Sequence, residues 1–120
     1  MKSINEIRAI LLGSTGTNGY HKYSDFRHFP VATDGVMDLA EAAECFWLLD
    51  VIGSHQTNRK LDPVFQVWML SVNKEDDSAV VRGFNDTTLI VTKEIPYTDF
   101  PLDSVKLYVE NGVLLLPSEH

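Results

Sequence analysis

From Val36 onward apolar residues recur at helical spacing, through Val36, Leu39, Ala40, Ala43, Trp47 and Val51, with Asp50 and Ser54 on the same face. That period predicts one long helix from Val36 to Ser54. Thr33-Asp34-Gly35, just before it, is a helix-start signal, because Thr33 or Asp34 can accept from the orphan amides of the first turn. Asp38, Glu41 and Glu44 fall on other faces of the first half, whereas Phe46, Leu48, Leu49 and Ile52 make the second half apolar nearly all round. A helix apolar on every side is one covered on several sides, so this element is expected to start at the surface and end inside the domain. A strand over Cys45 to Ile52 is the competing reading, since short apolar runs do not discriminate.

The flanking segments follow other patterns. Ser3 to Leu12 has Ile4, Ile7 and Leu11 close to helical spacing, with Ser3 and Glu6 placed as a capping box and Gly13 as the stop. Ser14 to Gly19 is rich in Thr, Gly, Ser and Asn and predicts a loop. The aromatic run from Tyr20 to Val31 predicts an extended, strand-like arm with a bulge, ending near Pro30. After the polar loop that closes at Pro63 the period changes to two. In "VFQVWMLSV" both alternating sets are largely apolar, which predicts a central strand covered on both faces. "AVVRGF", "TTLIVTKEI", "SVKLYVE" and "VLLLPSE" follow, separated by polar turns and by an irregular stretch from Pro96 to Asp103. Asn111-Gly112 between the last two is a strong hairpin signal, because a type I′ turn needs positive φ at both positions. Strands joined in sequence by short turns pair antiparallel, and helices grouped before them cover one face. The expected fold is α+β, an antiparallel sheet of about five strands with two helices packed on one face.

Composition narrows the setting. The 120 residues make one domain, 1–120, with 44% hydrophobic and 22% charged residues. Such a chain buries roughly two-thirds of its unfolded surface without staples. Seventeen acidic against ten basic residues give a net charge of -7, which disfavours contact with phosphate backbones and anionic lipid. Nucleic acid is therefore not an expected partner. The first residues are too short in apolar content and too charged for a signal peptide, and no stretch reaches membrane-spanning length. The expected location is cytoplasmic. Cys45 is the single cysteine, so no internal disulfide forms.

Candidate chemistry centres on the acid inside the apolar run. An ionised carboxylate on a buried helix face is strongly penalised, so Asp50 is expected to be partnered, hydrated or protonated. One reading has it accept hydrogen bonds from amides, a tyrosine hydroxyl or the Trp68 indole and fix a loop. The other places it in a cleft as a general base or ligand acceptor. Asp99, in "PYTDFPL", reads as a turn-forming residue or as the second member of a carboxylate pair with Asp50, which would split their pKa values. Cys45 reads as a small buried hydrophobe rather than a nucleophile. His21, His28 and His55 lack the spacing of a metal site, and neither a metal nor another cofactor is expected. Trp47 and Trp68 read as core residues or as an aromatic pocket wall. Binding candidates are thus Trp47, Asp50, Tyr97 and Asp99; the weak catalytic candidates are Asp50, Asp99 and His55.

Several blocks in order carry a resemblance: "TDGV" at Thr33 to Val36, "CFWLLDVIGSHQ" at Cys45 to Gln56, "FQVWMLSV" at Phe65 to Val72, "YTDFPL" at Tyr97 to Leu102 and the closing "VLLLPSE". Together they resemble a family of small, uncharacterised bacterial proteins, a domain of unknown function with members in mobile or phage-derived DNA. The resemblance spans Thr33 to Glu119. It implies a compact bacterial domain and carries over no catalytic residue. The expected function is a non-enzymatic binding or interaction module, with a homo-oligomer, and in particular a homodimer, as the expected assembly. The alternative is a small hydrolase-like acid–base enzyme using Asp50 with Asp99 or His55 and Tyr97 as a polar contact, so enzyme or non-enzyme stays open. A nucleic-acid or defence-related accessory role is the third reading, and the acidic charge speaks against it.

Overall fold

Ser3 caps the first helix as its spacing predicts. Its hydroxyl accepts from the Glu6 amide at 3.2 Å and donates to the Glu6 carboxylate, and α1 (Ile4–Leu12) stops at Gly13 with φ 63. The computed structural model describes residues 1–13 and 19–120. The loop expected over Ser14 to Gly19 lies outside the described residues, apart from Gly19. Only the ends of the aromatic arm are strand, as β1 (Tyr20–His21) and β2 (Val31–Thr33), paired antiparallel. Between them the chain is irregular, with Tyr23, Phe26, His28 and Phe29 packed on one another rather than hydrogen-bonded into a ladder.

The expected long helix is two helices, α2 (Asp34–Ala42) and α3 (Phe46–Ser54). Thr33 caps α2, accepting from the Val36 amide at 3.3 Å. The break lies at Glu44, whose φ is 51. The Cys45 amide donates to the Ala40 carbonyl and the Glu44 amide to that of Glu41, the bond pair of a Schellman motif. Buried Cys45 and Ala40 supply its apolar contact. Glycine normally holds the left-handed position, and a glutamate there costs about 1–2 kcal/mol of local strain. Part of that is returned because glycine loses more backbone entropy on folding, about 0.5–1 kcal/mol. Glu44→Gly is therefore expected to stabilise the fold by about 0.5–1 kcal/mol, read as a higher urea midpoint at constant m.

The break resets the helical phase. α3 buries Leu48, Leu49, Ile52 and Gly53, while Phe46, Asp50 and Ser54, four residues apart, form its outer line and are exposed. The apolar-face placement expected for Asp50 is thereby corrected.

Five further strands follow in the expected order: β3 (Phe65–Asn73), β4 (Ser78–Asn85), β5 (Thr88–Ile95), β6 (Ser104–Glu110) and β7 (Val113–Leu115). The last takes up only the first half of the strand expected over "VLLLPSE", since Pro117, which has no amide to donate, opens a turn. Asn111 and Gly112 have φ 51 and 81, as a type I′ hairpin between β6 and β7 requires. The α+β class holds. The sheet, however, has seven strands in the order β1-β2-β7-β6-β3-β4-β5, and it is mixed, because β2 runs parallel to β7. Among the described residues three α-helices, not two, share one core with it. Gln66, Trp68 and Leu70 of β3, Ala79 and Val81 of β4, and Val105, Leu107 and Val109 of β6 join Ile7, Leu39, Leu49 and Ile52 in that core.

Among the described residues nothing provides the second cover expected for β3. Its second set, Phe65, Val67, Met69 and Ser71, is only half-buried. The C-terminal turn Pro117–Glu119 closes the other end. The Glu119 carboxylate accepts from the Thr33 hydroxyl at 2.6 Å, from the Gly35 amide at the start of α2 and from the Leu116 amide. A carboxylate at a helix N-terminus is favoured by the dipole and by the free amides there.

Candidate functional site

The arm crosses α3 at Gly53. A Cβ placed there would lie 2.4 Å from the Phe29 ring, so the missing side chain is what lets Phe29 lie on the helix. The Tyr23 hydroxyl donates to the Leu49 carbonyl at 3.1 Å and fixes the arm a turn earlier. Between the arm, the outer line of α3 and edge strand β5 opens a cleft of about 440 Å³, lined by Ser24, Phe26, Phe29, Asp50, Val51, Ser54, His55 and Lys93. Its volume falls in the range of about 300–1,000 Å³ usual for small-molecule sites.

Two of the expected site residues meet in this cleft. Asp50 lines it from the exposed side of α3, and His55 lines it from the helix end. His55 Nδ1–H donates to the Val51 carbonyl at 2.8 Å, which fixes the tautomer and leaves Nε2 as the remaining ring nitrogen. The expectation that Asp50 is satisfied by buried donors is overturned, since no hydrogen bond or ion pair within the described residues holds its carboxylate. The others lie elsewhere. Asp99 is exposed and acts electrostatically on Cys45, at the opposite end of α3 from His55. It is not among the cleft residues, and neither are Tyr97, 68% exposed, and Trp47, which packs against the core. The pairing of Asp50 with Asp99 is therefore not assembled in the cleft.

Behind the cleft stands a buried polar network. Gln66, 1% exposed, pairs reciprocally with Gln56, the residue after His55, through bonds of 2.8 and 2.9 Å. Its carbonyl also accepts the Trp68 indole N–H at 2.9 Å, and its amide also donates to the Asp62 carbonyl at 3.0 Å. The Trp68 ring lies against His55 on one side and over Gly83 on the other, where a Cβ would come within 2.7 Å. Trp68 is a core residue, and its indole partner is Gln66 rather than Asp50.

Burial, and after it a neighbouring carboxylate, decides the state of two acids here. Burial, and secondarily the Asp50 carboxylate, push the Tyr23 phenol well above the ordinary tyrosine range. Its neutral form is thus favoured in the fold, and the unfolded chain gives up that proton first, from about pH 10. The stability it contributes is complete below about pH 10 and is lost as pH rises towards the folded-state value. Tyr23→Phe is expected to cost about 1 kcal/mol at neutral pH and to flatten the alkaline fall, as urea unfolding at neutral and alkaline pH will show. Burial first, then Asp99, push the Cys45 thiol up to about 12, so it stays protonated and unreactive. Among the described residues no cluster of His, Cys, Asp and Glu has the geometry to hold a metal ion.

Four residues of this cleft, Ser24, Phe26, Phe29 and Lys93, were not singled out by sequence reasoning. The i, i+3 spacing of Phe26 and Phe29 in "DFRHF" was the available signal, because it puts two rings side by side in any turn-like backbone.

A sequence model of the family of unknown function DUF6876 matches residues 5–120, and the chain belongs to that family. The match begins well ahead of the Thr33 start expected from the sequence blocks. No curated protein and no solved structure matches the chain. Among the described residues no helix is long and apolar enough to cross a membrane.

Proposed function

We propose that this member of the DUF6876 family is a non-enzymatic interaction module that assembles as a homodimer through the outer face of its sheet. The observation that carries the reading is the pattern on that face. Leu115, Tyr108, Val67, Phe84 and Leu89 are cross-strand partners in turn, and so form one apolar row over five strands, β7-β6-β3-β4-β5. Leu89 is 49% exposed, and Tyr108, Val67 and Phe84 are half-buried. On one side of the row the register places Lys106, Met69 and Arg82. Two residues to the other side along the same strands lie Glu110, Phe65 and, just past β4, Asp86.

This arrangement is self-complementary for one symmetry. A two-fold axis along the apolar row, between two facing sheets, exchanges its two sides. It sets Lys106 against Glu110 of the second copy, Arg82 against Asp86 and Met69 against Phe65. An axis along the strands would instead bring cation towards cation, and like charges across an interface are disfavoured. A closed two-fold contact of this kind gives each copy the second layer that the apolar set of β3 calls for. His120, whose Nε2 lies 3.2 Å from the Glu110 carboxylate and whose ring packs on Phe65 and Tyr108, forms the rim.

Sedimentation velocity tests the reading. The chain is expected to run as a dimer, and Val67→Lys as a folded monomer, because a lysine in the row is solvated in the monomer and buried in the pair. Exchanging charges at Lys106→Glu is expected to weaken the dimer, and adding Glu110→Lys to restore it. A wild-type chain that is monomeric at concentrations of about 100 μM, a hundredfold above a micromolar Kd, overturns the proposal.

A further inference from the structure

The cleft on the helix side of the sheet faces away from the proposed dimer surface, and its chemistry can be read independently. Phe26 is 64% exposed, yet its ring packs against Phe29 at 5.5 Å, and Phe29 is itself seated on α3 at Gly53 and packed by Tyr23. An ordered aromatic ring left open on one side of a cleft is a stacking surface, and aromatic pairs prefer tilted or offset contact at such distances. Asp50 and Lys93 line the same cleft, one on α3 and one on edge strand β5. They carry opposite charge, and neither forms an ion pair within the described residues. Ser54 donates its hydroxyl proton to the Val51 carbonyl at 2.9 Å, so its oxygen keeps lone pairs to accept a further donor.

We infer that this cleft binds a small aromatic zwitterion, of the class of the free aromatic amino acids. The ammonium group is taken by the Asp50 carboxylate with the Ser54 oxygen, the carboxylate by the Lys93 ammonium, and the ring by the Phe26–Phe29 wall. Two opposite charges that do not neutralise each other across one cleft select a ligand carrying both, because a singly charged ligand satisfies one and leaves the other in water. The binding is reversible and involves no bond change, and neither dimerisation nor the outer sheet face enters it.

Amide NMR of the full chain titrated with L-phenylalanine tests the site. Saturable shifts are expected at Phe26, Phe29, Val51, Ser54 and Lys93, with a Kd in the millimolar range or below. Phenethylamine, which lacks the carboxylate, and 3-phenylpropionate, which lacks the ammonium, are each expected to bind at least roughly tenfold more weakly, the factor a lost charge-assisted hydrogen bond brings. Asp50→Asn and Lys93→Met alter exposed side chains and are expected to keep the wild-type thermal midpoint while each weakens L-phenylalanine about tenfold. Absence of shifts up to about 10 mM, tenfold above a millimolar Kd, overturns the inference. So do shifts that both variants leave unchanged, and so does equal binding of all three probes.

Discussion

Gln66→Leu is expected to destabilise the protein by about 2–4 kcal/mol, although leucine has nearly the right volume and a better affinity for a buried site. The loss comes from what the amide serves. Trp68 is 1% exposed, so its indole N–H, deprived of the Gln66 carbonyl, has no water to turn to. An orphaned buried donor costs about 1–3 kcal/mol. Gln56 loses its reciprocal partner as well, but it is half-buried and recovers part of that loss from solvent. The control is Trp68→Phe in the same background. Removing the orphan donor makes the double variant less damaged than the sum of the singles, by about 1–2 kcal/mol. Urea unfolding of the four proteins measures the cycle. Additivity within about 0.3–0.5 kcal/mol would show that the network does not hold the indole.

Gly53→Ala is the second, and two physical effects pull it in opposite directions. Helix propensity favours alanine over glycine in a helix interior by about 1 kcal/mol. Against this, the new methyl would lie 2.4 to 2.7 Å from three atoms of the Phe29 ring. These are ring atoms close to the side chain's own root, not the end of a flexible chain, so the arm itself must lift. Lifting Phe29 gives up part of the roughly 1.5–3 kcal/mol that a well-buried aromatic contributes, and it loosens the Tyr23–Leu49 bond beside it. The clash is expected to win, with a net loss of about 1–2 kcal/mol. In Phe29→Ala the sign reverses, because only the propensity term survives there. Thermal unfolding of the two pairs decides it; stabilisation of the wild type by Gly53→Ala would mean that the arm is not seated on α3.

Much of the fold was legible where local chemistry is strong. Ser3, Gly13, Thr33 and Asn111-Gly112 do in the structure what their side chains or backbone freedom predict. The alternation of β3 to β6 was equally plain. The helix break was not, because its signal is ordinarily a glycine or asparagine and here a glutamate takes the left-handed position. That single residue shifted the face assigned to Asp50 and with it the expectation of buried partners. β1 and β2 were hidden for another reason, since two- and three-residue strands have too few positions to show a period. The parallel β2–β7 pair joins segments far apart in sequence, and no local pattern encodes that. Of the cleft, Asp50 and His55 were found from the sequence. Lys93 was not, because an exposed lysine on an edge strand reads as protection against edge-to-edge pairing.

The clasp of Glu119 on Thr33 spans 86 residues, and this has a consequence for how the protein is made. While the chain is being synthesised, the amino-terminal helices can form early but have no sheet to lie on. The seat of β2 is created only when β7 leaves the ribosome, after every other strand. Folding to completion is therefore a late, nearly single event rather than a stepwise build-up along the growing chain. Until then the nascent helices carry bare apolar faces.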